Sequence, residues 1–439
     1  MTSQKQNNTL PIVMMFLLFA MVSFVTGLSN PVGVIIKNQD GIQNWMSQLG
    51  NFANFFAYLF MGIPAGIVLK RKGYKFTALT AIAVGFCGVG IQLLSAKMAT
   101  PNFTSVFVVY LIGAFTAGIS MCMLNTVVNP LLNTLGGGGK TGNQLIQFGG
   151  SLNSVCATIV PILGGYLIGD IAQAKLANAI PALFIAMGIF AVVFIVLFFV
   201  AIPEPHMIKK EDEVKVKDSH SAMSFRHFLL GTVAIFLYVG IEVGIPNFIN
   251  LFLTSAPDTV DGATGMGLDA AAAGSVVGTY WFLMLIGRLF GGAFGAKFSA
   301  KSQLTFVSSL AIALVTIGIF TPSTVSVTMP VFQSDISFGM MQVPLSVLLF
   351  VLCGLCTSVM WGGIFNLAVE GIGKYTAMGS GIFMVMVVGG GVLPLIQGAV
   401  ADVTANYMAS YWVIVAAAAY LLWYALAGCK NVNKDINVD

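Results

Sequence analysis

Charge is what this sequence has least of. Of its 439 residues, 8% are Asp, Glu, Lys or Arg, against about 25% in ordinary soluble domains. With 57% hydrophobic residues and a mean hydropathy of +0.91, the composition excludes a water-soluble globular chain. Histidine is scarce as well. His206, His220 and His227 all fall in or beside one central polar stretch, so no histidine relay runs through the apolar segments. Of the six cysteines, five lie within apolar runs and Cys429 stands at the end of the last one. Cys353-x-x-Cys356 has metal-like spacing but no second Cys or His pair beside it, so these read as small core residues. No small-residue cleavage site follows the polar segment Met1–Leu10, and no removable signal peptide is expected. Gly136-Gly-Gly-Gly-Lys140-Thr141 imitates the end of a phosphate-binding loop, yet Thr134 stands where that loop needs its first glycine. No Ser-His-Asp set, metal cluster or pair of intramembrane carboxylates is present, which argues against an enzyme. No cofactor and no metal are expected.

What the chain does have is apolar runs of helix-spanning length, repeated from end to end. They exclude an outer-membrane barrel, whose alternating pattern is weaker. Twelve spans are expected near residues 11–36, 45–69, 75–97, 103–133, 143–169, 179–202, 227–253, 271–296, 303–321, 341–369, 376–400 and 408–428. The longest polar stretch, Pro203–Arg226, mixes Lys209, Lys210, Lys215 and Lys217 with Glu211, Asp212, Glu213 and Asp218. Mixed charge of this kind suits a solvated linker better than a nucleic-acid surface. The expected fold is therefore an all-α membrane protein of twelve transmembrane helices. It divides into an N-terminal six-helix half (1–202), a cytoplasmic linker (203–226) and a C-terminal six-helix half (227–439).

Orientation follows from the basic residues. With both termini in the cytoplasm, seventeen of the 20 Lys and Arg residues fall inside, leaving Lys37, Lys97 and Lys175 outside. That is the asymmetry the positive-inside rule requires. The halves also echo each other. Span five carries Pro161-x-x-x-Gly165 and ends at Asp170; span eleven carries Pro394-x-x-x-Gly398 and ends at Asp402. Span four reads Leu124-Asn-Thr-Val-Val-Asn129 and span ten Trp361-Gly-Gly-Ile-Phe-Asn366. Such repeats mark transporters whose binding site lies where the repeats meet, near the bilayer midplane.

Glu242 is flanked on both sides by two to three helical turns of apolar residues. A carboxylate at that depth costs several kcal/mol unless it is protonated, paired or facing a wet cavity, so it reads as a proton- or cation-coupling group. A neutral Glu bonded to a neighbouring helix is the blander alternative. Amides gather in spans one, four, five, seven and ten: Asn30, Asn125, Asn129, Gln147, Asn153, Asn247, Asn250 and Asn366, with Trp361 beside them. Any single amide can serve only to glue helices together. As a set around an aromatic ring they suit a small neutral polyhydroxylated solute, a sugar. Two basic loops read as gates, one with Lys70 and Arg71 and one with Arg288. The lysines also suit membrane anchors, whereas Arg288 in its glycine-rich setting suits an interhelical contact.

Several segments carry a resemblance: Pro64-Ala-Gly-Ile-Val-Leu-Lys70, Asn125-Thr-Val-Val-Asn129-Pro130, Asn153-Ser154, Tyr238-Val-Gly-Ile-Glu242, Ile286-Gly-Arg288, and Lys374 through Gly391. In this order the chain resembles the Major Facilitator Superfamily, and within it the fucose permease-like branch of fucose/galactose/glucose:proton symporters. The resemblance implies alternating access, sugar import and proton coupling in a bacterial inner membrane. Asn30 and Asn125 stand where that branch carries acids, and Gln147-x-x-Gly150-x-x-Asn153-Ser154 keeps only part of its span-five pattern. Glu242 is thus left as the deep acid able to titrate. The expected substrate is an uncharged sugar taken up by a monomer in the lipid bilayer, and hexuronates and sugar phosphates should be rejected for want of a base near Glu242. Arg288 is expected to lie too far away, at the cytoplasmic gate. Uncoupled transport, sodium coupling and a non-transporting receptor are the alternatives.

Overall fold

The computed structural model describes the chain except residues 1–8, 28–31, 33–34, 38–41, 99–102, 137–138, 169–173, 205–219, 258–262, 295–297, 334–336, 434, 437 and 439. Most of the expected linker, 205–219, thus lies outside the described residues, as do Asn30 and Asp170. Each of the twelve hydropathy spans is built on helix among the described residues. They occupy Thr9–Gly27, Leu49–Lys72, Tyr74–Lys97, Phe103–Leu135, Gly139–Ile168, Ile180–Phe199, Arg226–Thr254, Ala270–Phe294, Ala300–Phe320, Leu345–Val369, Thr376–Thr404 and Tyr407–Gly428. Ten are long and apolar enough to cross a bilayer; in spans one and five the described apolar stretches are shorter, Thr9–Val25 and Phe148–Val160.

Among the described residues three spans are interrupted, two of them for an evident local reason. Span ten breaks between Thr357 and Met360. There the hydroxyls of Thr357 and Ser358 turn back on the carbonyls of Gly354 and Leu355, a pattern that bends helices. Span eleven breaks just before Gly389-Gly-Gly391. A Cβ at Gly389 would collide with the Phe236 carbonyl of span seven, and one at Gly391 would sit 2.9 Å from the Phe52 Cα of span two. Missing side chains let three backbones meet. Span twelve pauses at Tyr411 and ends in a π turn over Tyr424–Gly428.

One expectation is corrected. Span ten was to begin at residue 341, but Ser326–Phe332 (β1) pairs antiparallel with Phe338–Pro344 (β2), Met329 opposite Met341. Val327, Thr328 and Val331 favour an extended chain, and Met329, Val331 and Val343 are buried. The helix starts at Leu345, after Pro344.

Across the molecule, span five packs along span eight, and span two along span eleven. These are the seams between the first six spans and the last six. The loop between spans two and three belongs to neither seam. Gly73, at φ 86°, turns it, and the Glu204 carboxylate beyond span six accepts the backbone N–H groups of Tyr74 at 2.5 Å and Lys75 at 2.9 Å.

Candidate functional site

Between the seams lies a cavity of about 200 Å³, many times the room one water needs. Spans one, two, four and five line one side and spans seven, eight, ten and eleven the other. Helical spacing puts the polar groups there. Asn51, Phe55 and Tyr58 fall at i, i+4 and i+7 on span two, Asn125 and Asn129 at i and i+4 on span four, and Tyr238 and Glu242 likewise on span seven. The break in span ten turns Ser358, Trp361 and Gly362 to the same space.

Hydrogen bonds hold this lining. The Asn125 amide donates to the Tyr58 hydroxyl at 2.9 Å, and the Asn129 amide to the Asn125 carbonyl at 3.0 Å. Ser23 of span one donates to the Asn153 carbonyl at 2.6 Å. The Tyr238 and Trp361 rings tilt together at 6.2 Å between centroids, and the buried Tyr238 hydroxyl lies beside the Glu242 carboxylate one turn further along span seven.

The charges in the cavity overturn one expectation. Arg288 does not lie far from Glu242: its Nη2 stands 3.3 Å from the Glu242 Oε1, with the two side chains 13% and 16% exposed. Arg288 points inward along span eight instead of outward from the loop that follows. Its Nη1 crosses the seam to donate to the Gly150 carbonyl at 2.6 Å and the Ser154 hydroxyl at 2.9 Å on span five. The expected interhelical contact therefore exists, and it includes the acid. Separating two such charges by deleting one costs about 3–5 kcal/mol, because the survivor is left buried and unpaired. A Cβ at Gly150 would stand 3.6 Å from Nη1, an ordinary contact, so the guanidinium depends on the Gly150 carbonyl and not on the missing side chain.

Asn125, Asn129, Asn153, Trp361 and Glu242 of the anticipated residues line the cavity. Asn366 is corrected: it is exposed and outside the lining. It stands five positions after Trp361, about 140° around a helix, so the two cannot share a face. Asn30 and the side chains of Gln147 and Lys70 lie outside the described residues, and Arg71 is exposed. Sequence reasoning missed Ser23, Asn51, Tyr58, Tyr238 and Trp281 as lining groups. The i, i+4, i+7 spacing on span two was the available signal.

The Major Facilitator Superfamily profile matches residues 15–393. The chain is 29% identical over 436 residues to a glucose/galactose transporter of Brucella abortus, covering 98% of this chain and 97% of that one. It is 22% identical to the L-fucose-proton symporter of Escherichia coli, covering 92% and 89%. Among solved structures, FucP in the outward conformation matches with a TM-score of 0.67 at 19% identity, covering 95% and 98%. A D-xylose-proton symporter matches with 0.68 at 13%, covering 97% and 98%.

Proposed function

This chain belongs to the Major Facilitator Superfamily, a family of transporters and not of enzymes, and on that footing we propose that it imports a neutral monosaccharide. The route is alternating access across a bacterial inner membrane, with both termini in the cytoplasm and a proton exchanged at Glu242. The observation that carries this reading is the cavity itself, where neutral amides, hydroxyls and the Trp361 ring surround one ion pair. Amides and hydroxyls can pair with sugar hydroxyls, and an aromatic face takes the C–H side of the ring. The names of the relatives from Brucella abortus and Escherichia coli agree with a sugar.

The preference for a neutral solute stands, but for a new reason. A base does lie beside Glu242, and its charge is already met there while its Nη1 is engaged with span five. While Glu242 is ionised, an anionic sugar would have to displace it to be compensated.

Glu242 couples because its charge decides whether Arg288 has a partner on span seven. Ionised, it completes a chain from span seven through Arg288 on span eight to span five. Protonated, it releases the guanidinium to span five alone. A sodium ion at the same carboxylate would stand against the Arg288 guanidinium, and two cations so close repel. The test is a panel of monosaccharides, hexuronates and sugar phosphates offered to proteoliposomes with and without an imposed pH gradient. Accumulation of a neutral sugar that follows the pH gradient and ignores a sodium gradient is expected. Uptake that merely equilibrates would refute coupling, and preferred uptake of an anion would refute the neutral-sugar assignment.

A further inference from the structure

Asp402 ends the repeat that span eleven shares with span five, and the cavity makes no use of it. Its surroundings are specific. Oδ1 accepts the Asn44 backbone N–H at 3.0 Å and the Asn44 amide at 2.7 Å, while Oδ2 accepts the Trp45 backbone N–H at 3.1 Å. Asn44 and Trp45 lie just before span two, so one carboxylate holds two backbone amides and a side chain of the other half. The bond set continues. Tyr407 of span twelve donates its hydroxyl to the Asn44 Oδ1 at 2.7 Å and shares a 2.7 Å bond with Ser255. A Cβ at Gly398 would sit 2.6 Å from the Trp45 Cα, so the backbones are in contact beneath the carboxylate. Lys37 is the nearby cation; it donates to the Ile42 carbonyl at 2.9 Å and attracts Asp402 through space.

We propose that Asp402 is the latch of the outer gate, the group that holds spans two and eleven together while the cavity is shut off from the outside. The proposal rests on the alternating-access reading but not on the identity of the sugar or the cation. A carboxylate suits the task because all three of its contacts are donors from the opposite half. An Asn at this position keeps the shape but turns one acceptor into a donor that faces an N–H. The latch weakens without loss of volume, and the population shifts toward the outward-open state.

Val243 lines the cavity on span seven, and a Val243→Cys thiol reports which side reaches it. The full-length protein is labelled with a membrane-impermeant maleimide, in right-side-out and in inverted vesicles. A background lacking only the Val243→Cys change subtracts the native cysteines. Adding Asp402→Asn should raise labelling from outside at least tenfold and lower it from inside. Adding Tyr407→Phe, which removes a hydroxyl and leaves Asp402 in place, should act in the same direction but less. A misfolded protein would gain labelling from both sides, and opposite changes on the two sides separate the latch from that. Unchanged rates from both sides in Asp402→Asn, or a rise on both sides in both variants, would overturn the latch. A rise from the inner side with a fall outside would keep the latch and invert the orientation on which the import reading depends.

Discussion

Two carboxylates, one at a seam of this protein and one in the cavity between the seams, are satisfied in opposite ways. Asp402 is held by backbone N–H groups and an amide, all fixed donors on the facing half. Glu242 is held by a guanidinium at the end of a long side chain, and that guanidinium is itself bonded to span five. Fixed dipoles cannot follow a change of charge, so the first arrangement suits a contact that is made or broken as a whole. A mobile counter-ion can lean toward span seven or span five according to the charge on Glu242. The same residue class thus suits the proposed latch at one level of the membrane and the proposed switch at another, and the difference lies in the partners.

The sharpest way to break that contrast is at Arg288. Arg288→Gln leaves Glu242 buried without its counter-charge and should cost about 3–5 kcal/mol of stability, read as a large fall in the melting temperature of the purified protein. Adding Glu242→Gln removes the surviving charge and should recover most of the loss. If the double variant melts no higher than the single one, Arg288 serves packing and not the pair. Next in size are the solute contacts. Asn129→Ala should weaken sugar binding by about 1–3 kcal/mol, since a hydroxyl of the bound sugar is left unpaired, and Trp361→Ala should weaken it as well without unfolding the protein. Calorimetry giving wild-type affinity for both would move the pocket elsewhere. Tyr407→Phe deletes one hydroxyl of the fixed network at the seam, and a stability loss of about 0.5–1.5 kcal/mol is expected by denaturant titration. A loss as large as that of Arg288→Gln would erase the distinction between latch and switch. The smallest effect belongs to Asn366→Ala, which should change neither affinity nor stability by more than about 0.5 kcal/mol; a clear loss of binding would restore it to the site.

Much of this was legible in the residues themselves. Hydropathy located twelve helices because length and apolarity are what a bilayer demands of a spanning element. The end of the hairpin, residues 341–344, was hidden because Met341 and Val343 count toward hydropathy as helix residues do. The amides of spans four and five pointed to the cavity through their spacing. Asn366 misled because polarity alone cannot say which face a residue occupies, and the break at Ser358 decides where that face turns. The Glu242–Arg288 pair was not legible. Its members are 46 positions apart, and Arg288, near a glycine-rich loop, was counted with the basic residues of the cytoplasmic side. Only the inward course of span eight brings its guanidinium to the acid.

The claim at the centre of this account is that the charge on Glu242, read by Arg288, links the proton to the sugar. The direct measurement is sugar transport by the Glu242→Gln/Arg288→Gln double variant in proteoliposomes, where no buried charge is left unpaired. Exchange of labelled for unlabelled sugar should persist, while accumulation driven by an imposed pH gradient should vanish. Accumulation at the wild-type level in that double variant would contradict the account.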